Sequence, residues 1–204
     1  MTRCHTHRWL LMIATAALAV PLGGLLLGPQ AYAQGAASRV SADRECVGRS
    51  AAGPTELSQY DFLVGDWDVT VTMPRSGGQP LVYQATWRNC WIANGYVLMQ
   101  EWRDPYSTGI ELRSFNPETR TWDGHNLYVP TPGAWYVNES VRAGDNMVVT
   151  TQSRAPDGAP IVKREIYFAI ETRRFEIRTE VSLDGAITWR PGGYRLVATR
   201  RSPS

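Results

Sequence analysis

From Trp67 to Arg200 the chain falls into ten short runs rich in Val, Ile, Tyr, Trp and Thr, each ended by turn residues within about ten positions. The runs are Trp67–Met73, Leu81–Arg88, Gly95–Arg103, Gly109–Phe115, Thr121–Tyr128, Trp135–Val141, Met147–Ser153, Ile161–Ile170, Arg174–Ser182 and Gly193–Arg200. Asn116-Pro117, Gly144-Asp145, Asp157-Gly158 and Asp184-Gly185 mark turns of hairpin length. Only Leu57–Phe62 suggests a helical turn. The segment RFEIRTEV is the clearest in geometry. Arg174, Glu176, Arg178 and Glu180 share one face, and Phe175, Ile177, Thr179 and Val181 share the other. One face meets water and the other a dry interior. About ten such strands in up-and-down order predict an all-β, antiparallel barrel, because closure removes both sheet edges. A sandwich is the competing architecture, but it usually needs longer crossovers.

The residues ahead of the barrel read differently. Arg3 and Arg8 precede the apolar stretch WLLMIATAALAVPLGGLLL, and Ala31 and Ala33 form a small-x-small cleavage pattern. Residues 1–33 therefore read as a secretory signal peptide cut after Ala33. The alternative is an uncleaved anchor; Pro21, Gly23 and Gly24 interrupt it. Residues 34–55 are small, polar and aperiodic, as in a flexible arm, and 56–204 form the barrel domain. The expected location is periplasmic or extracellular, with no stable membrane insertion after cleavage.

Charge and cysteine content narrow the partners. The chain has 21 Lys+Arg and 19 Asp+Glu, and the two leader arginines account for the difference. A formally neutral mature chain with no basic run gives no basis for nucleic acid as partner. Cys4 belongs to the leader, leaving Cys46 and Cys90, a pair expected to be disulfide-bonded in an oxidising compartment. In the chain-entropy model such a bridge is worth about 4 kcal/mol.

The stretch DFLVGDWDVTV places Gly65 two residues before Trp67 at the mouth of the first run. In a closed ten-strand meander the last strand runs beside the first, and Arg200 or Arg201 comes level with Trp67. A guanidinium over an indole is worth roughly 1–2 kcal/mol when partly desolvated. Gly65, Trp67 and Arg200 are thus assigned to barrel closure. The Gly65-x-Trp67 pattern with a late Arg resembles the lipocalin and wider calycin group. FLVGDWDVT, FNPETRTWDGHNLYV and SLDGAITWRPGGYRL together resemble a family of secreted bacterial proteins with a lipocalin-like domain. The pattern of Ser182, Asp184, Gly185, Thr188 and Trp189 is its most specific part. The resemblance implies a calycin-type barrel and carries over no catalytic residue. The ten strands also match the shape of fatty-acid-binding proteins and nitrobindins.

Candidate chemistry is sparse. His125 is the single histidine after the leader. As a haem ligand it would lie far from the chain end where nitrobindin-like barrels place theirs, so a rim position is preferred and no cofactor is assigned. One histidine without a cysteine or acid at ligand spacing makes no metal site. No GxSxG surrounds a serine. Glu101 and Glu111, with Arg103 and Arg113, read as cross-strand ion pairs on the solvated face rather than as an internal cluster. Aromatic residues crowd the middle strands: Trp87, Trp91 and Tyr83, with Trp102, Trp122, Tyr128, Trp135 and Tyr136. Trp102, Trp122, His125, Tyr128 and Trp135 are the candidate ligand contacts. The leading expectation is a binder of a small hydrophobic or amphipathic molecule. The alternatives are an isomerase, cyclase or hydrolase on the same barrel, and a solidly packed envelope module. Polar groups converging inside the barrel favour the enzyme, and a filled interior favours the module.

Overall fold

Strand β1 (Gly65–Met73) hydrogen-bonds on one side to β2 (Leu81–Ile92) and on the other to β10 (Arg190–Arg200) in the computed structural model. Between them run β3 (Val97–Arg103), β4 (Thr108–Asn116), β5 (Thr121–Val129), β6 (Tyr136–Ala143), β7 (Asn146–Arg154), β8 (Pro160–Phe168) and β9 (Arg174–Ser182). Each pairs antiparallel with its sequence neighbours, so the ten strands close into an up-and-down barrel. The structure describes residues 46–130, 135–155 and 157–202. The expected signal peptide, the cut after Ala33 and most of the arm lie outside them. Among the described residues no helix is long and apolar enough to cross a membrane.

All ten expected strands are present, with several ends shifted, among them β10, which begins at Arg190 rather than Gly193, and β8, which ends at Phe168 rather than Ile170. β2 continues past Arg88 to Ile92, because Asn89 and Trp91 extend the inward alternation of Ala85 and Trp87 and find partners on β3. Gly95 belongs to the turn before β3, where it takes a positive φ. The expected helical turn is a 3₁₀ segment over Thr55–Leu63. Its buried Leu57, Tyr60 and Leu63 fill one end of the barrel.

That end is sealed around Trp67. The indole is fully buried, donates from Nε1 to the Leu63 carbonyl at 2.8 Å, and packs edge-on to Phe175. Arg200 is its register partner on β10, and the guanidinium lies 4.3 Å from the ring centroid. The same guanidinium donates to the carbonyls of Val64 (2.6 Å), Phe62 (3.1 Å) and Thr172 (2.8 Å). Gly65 makes this possible. Its φ is +122°, and a Cβ there would sit 2.4 Å from Arg200 Nη1. Arg201 points elsewhere, to Asp68 on the outer face.

The disulfide joins Cys46 to Cys90 with Cα atoms 5.4 Å apart. Val47 N donates to Trp91 O at 2.9 Å and Ser50 N to Gly95 O at 3.1 Å. The end of the arm is therefore tied to β2 and the turn that follows it.

Candidate functional site

β4 places Glu111 and Arg113 two residues apart, hence on one face. The register decides which face. Gln100 on β3 lies opposite Glu111, and Trp102 opposite Gly109, so this face is the interior. Glu101 pairs with Ile110 and takes the outer face. The ion pairs expected on the solvated face are thereby corrected for half of the set. Glu101 and Arg103 lie outward, while Glu111 and Arg113 are buried.

Arg113 is only 1% exposed and is bonded on three sides. Nη2 donates to Glu111 Oε1 at 2.7 Å, and Nη1 to Tyr60 Oη at 2.9 Å and Ser140 Oγ at 3.0 Å. Asn138 Nδ2 donates to the same Glu111 oxygen at 2.8 Å. Gly124 lies between Arg113 and Asn138 in the sheet. A Cβ at Gly124 would fall 2.1 Å from Asn138 Oδ1, so its absence lets the Asn138 side chain lie across β5 towards Glu111. Burial is the largest single influence on Arg113 and opposes its charge, but Glu111, Tyr60, Tyr167 and Glu165 together hold the guanidinium pKa above its ordinary value.

Above this layer is a cavity of about 280 Å³. Trp87, Trp102, Tyr128 and Tyr167 wall it, with Glu165 and Tyr194 on the opposite strands. Trp87 and Trp102 meet edge-to-face at 5.6 Å. The Trp102 Nε1 donates to Asp104 Oδ2 at 2.7 Å, and Asp104 Oδ1 accepts the backbone N–H groups of Tyr106 and Ser107 at 2.7 and 2.6 Å. A locked turn thus orients one wall. Asp104 and Ser107 also line the cavity, which therefore reaches the barrel end remote from Trp67.

Glu165 is the second carboxylate. It projects inward from β8 between Val149 and Thr179, and Tyr194 Oη donates to it. The position of Tyr194 follows from a bulge in β10 between Pro191 and Arg195. There the Thr179 hydroxyl donates to Tyr194 O at 2.6 Å and accepts from Tyr194 N at 3.0 Å, replacing ladder bonds. Burial pushes the Glu165 carboxyl above the usual carboxylate range, with Glu111 adding to the rise and the Tyr194 bond and Arg113 opposing it. Burial likewise raises Tyr128, Tyr167 and Tyr194, which stay neutral donors.

Of the five candidate contacts, Trp102 and Tyr128 line the cavity. Trp122 lies in the sealed end, edge-on to Tyr60 at 4.8 Å, with Nε1 donating to Gln59 at 3.0 Å. His125 pairs with Leu112 and Val137 on the outer face and is exposed. Trp135 precedes β6 and is 51% exposed. The reason is parity: β5 turns Trp122, Gly124, Asn126 and Tyr128 inward, which sends His125 out. The cluster of Glu111, Arg113, Asn138, Glu165 and Tyr194 escaped sequence reasoning. Carrying the face of Trp67 across each short hairpin is the signal that could have found it.

The Ser182–Trp189 pattern has a structural explanation. The Asp184 carboxylate accepts from Ser182 Oγ at 2.7 Å, Thr188 Oγ1 at 2.5 Å and the backbone N–H groups of Ile187 and Thr188 at 3.2 and 2.9 Å. Trp189 stacks on Arg164 at 3.8 Å. The motif builds the β9–β10 turn and contributes no cavity wall apart from what it anchors.

No protein-family model matches this sequence, and no curated protein matches it. Among solved structures it is similar to Rv2717c from M. tuberculosis. The two are 12% identical, the match covers 73% of this chain and 99% of that one, and the TM-score is 0.48.

Proposed function

We propose that this barrel is a secreted or periplasmic receptor for a small amphipathic molecule, a lipocalin-like role on a calycin-type scaffold. One observation carries the reading: an aromatic-walled cavity of about 280 Å³ into which Glu111 and Glu165 converge. Apolar walls with a few placed polar groups are the usual build of a small-molecule site, and this volume lies near the lower end of the usual range. A compact ligand fits better than a long acyl chain. An interior with this much open volume argues against the solidly packed module. The Cys46–Cys90 bridge supports an oxidising compartment.

Native mass spectrometry of protein purified without detergent from the exporting cell tests the reading. A reproducible extra mass, lost on denaturation, is expected. A bare mass across independent preparations, together with no binding of small amphipathic probes, removes it. The same spectrum tests the leader cut, since the mature species is expected to begin at Gln34.

A second reading is an enzyme of the isomerase, cyclase or hydrolase type. What favours it is the contrast between two carboxyls in one cavity: Glu111 held by Arg113, and Glu165 held by a neutral tyrosine. Environments that differ in this way separate a base from an acid. Its test is turnover of the retained compound, with loss of that turnover in Glu165→Gln.

A further inference from the structure

Resting on the small-molecule reading above, we propose that the ligand is a compact organic ammonium ion. Its N–H groups meet the Glu165 carboxylate and its apolar body sits among Trp87, Trp102 and the cavity tyrosines.

The acidic groups that face the cavity outnumber the basic ones. Glu111, Glu165 and Asp104 line it, against one cation, Arg113. Arg113 has its Nη atoms committed to Tyr60, Ser140 and Glu111 and is 1% exposed, so it offers a ligand no charged face. Lys163 shares the inward parity of Glu165 but is exposed and does not line the cavity. Among the described residues Glu165 forms no ion pair; its hydrogen-bond partner is the neutral Tyr194 hydroxyl. Burial and Glu111 disfavour the ionised form of this carboxyl, and a ligand that brings a cation favours it.

The unspent hydrogen-bonding capacity of the wall points the same way. Among the cavity-lining side chains Asn126 Oδ1 and Asn138 Oδ1 accept no bond, and Arg113 Nε donates none. Acceptors in a cavity wall call for a ligand that donates. The aromatic rings add their electron-rich faces, which attract cations, most strongly at Trp. An anionic ligand would meet Glu111, Glu165 and the π-faces, which disfavour it.

Proton balance follows from the groups that face Glu165. These are Glu111 and Arg113 from β4, Tyr128 from β5, Tyr167 from β8, Tyr194 from β10 and Tyr60 from the 3₁₀ segment. Burial and Glu111 favour the protonated carboxyl in the free protein. Binding of R–NH₃⁺ favours the carboxylate, and any proton this displaces passes to the buffer.

The experiment is calorimetric titration of the purified protein with three probes of one shape: 2-phenylethylammonium, 2-phenylethanol and phenylacetate. The ammonium is expected to bind at least about tenfold more tightly than the alcohol, and phenylacetate most weakly. In Glu165→Gln the ratio of ammonium to alcohol affinity is expected to collapse towards one. The wild-type ratio decides the matter even where the variant fails to fold. An alcohol that binds as tightly as the ammonium overturns this inference and leaves the small-molecule reading standing. Failure of all three probes also overturns it; the broader reading then falls only if the native protein retains no mass.

Discussion

The Arg200 guanidinium lies 4.3 Å from the centroid of the Trp67 ring and closes the barrel between its first and last strands. Those two side chains are direct register partners, and three backbone carbonyls hold the guanidinium in place. Replacing Arg200 with Ala removes the cation–π contact and leaves those carbonyls to find other donors. A loss of about 2–4 kcal/mol in urea unfolding is expected. Gly65→Ala strikes the same joint through a strained φ and the 2.4 Å contact with Nη1. It is expected to destabilise by more than about 1 kcal/mol.

Glu111 and Arg113 are a buried pair, and breaking it should be worse than removing it. Glu111→Ala leaves an uncompensated buried cation and is expected to destabilise by about 3–5 kcal/mol. The double variant Glu111→Leu with Arg113→Met removes both charges and should recover part of that loss. Denaturant midpoints of the three proteins check the order. A double variant weaker than Glu111→Ala contradicts the argument.

Gly124→Ala tests the packing beneath the cavity. The added methyl meets Asn138 Oδ1 and forces that side chain off Glu111. A loss of about 1–3 kcal/mol is expected. Gly77→Ala is a poor control because Gly77 also has a positive φ, whereas Gly78, with open space around it, is a suitable one.

Glu165 sets a pH signature. Its folded pKa is raised, so its stabilising contribution is full below the unfolded value of about 4.5 and fades as pH rises through the folded one. Glu165→Gln carries no such dependence. The stability difference, wild type minus variant, is therefore expected to fall as pH is raised from 4 towards neutrality. Urea unfolding of both proteins across that range measures it, and a difference that rises with pH refutes the assignment.

Asp184 has the opposite sign. The Thr188 side chain and backbone, with Ser182, hold its carboxyl well below the usual range. Its contribution is present above the ordinary Asp value of 3.8 and is lost as pH falls through the lower folded value. Hydrogen-exchange protection at Ile187 and Thr188 is expected to persist at pH 4 and to fall on stronger acidification. Asp184→Asn should lose that protection at both.

Period-two alternation, turn residues and two cysteines were enough to read ten strands, a closed meander and the Cys46–Cys90 bridge from the chain alone. Those features are local: a strand's two faces, a turn's backbone and an even cysteine count are each written within a few residues. Which face is the interior is not local. It depends on register carried through every hairpin, and a shift of one residue exchanges the faces. Polarity alone put Glu111 and Arg113 in water. The fold puts them inside, because Tyr60 from the 3₁₀ segment and Ser140 from β6 come to meet them across long stretches of chain. His125 and Trp135 drew notice as residue types, and parity and position leave both on the outside. Glu165 and Tyr194 lie 29 positions apart and meet only once β8, β9 and the β10 bulge are assembled. Strand number and closure could be read from the order of the residues; the composition of the cavity wall was decided by tertiary pairing.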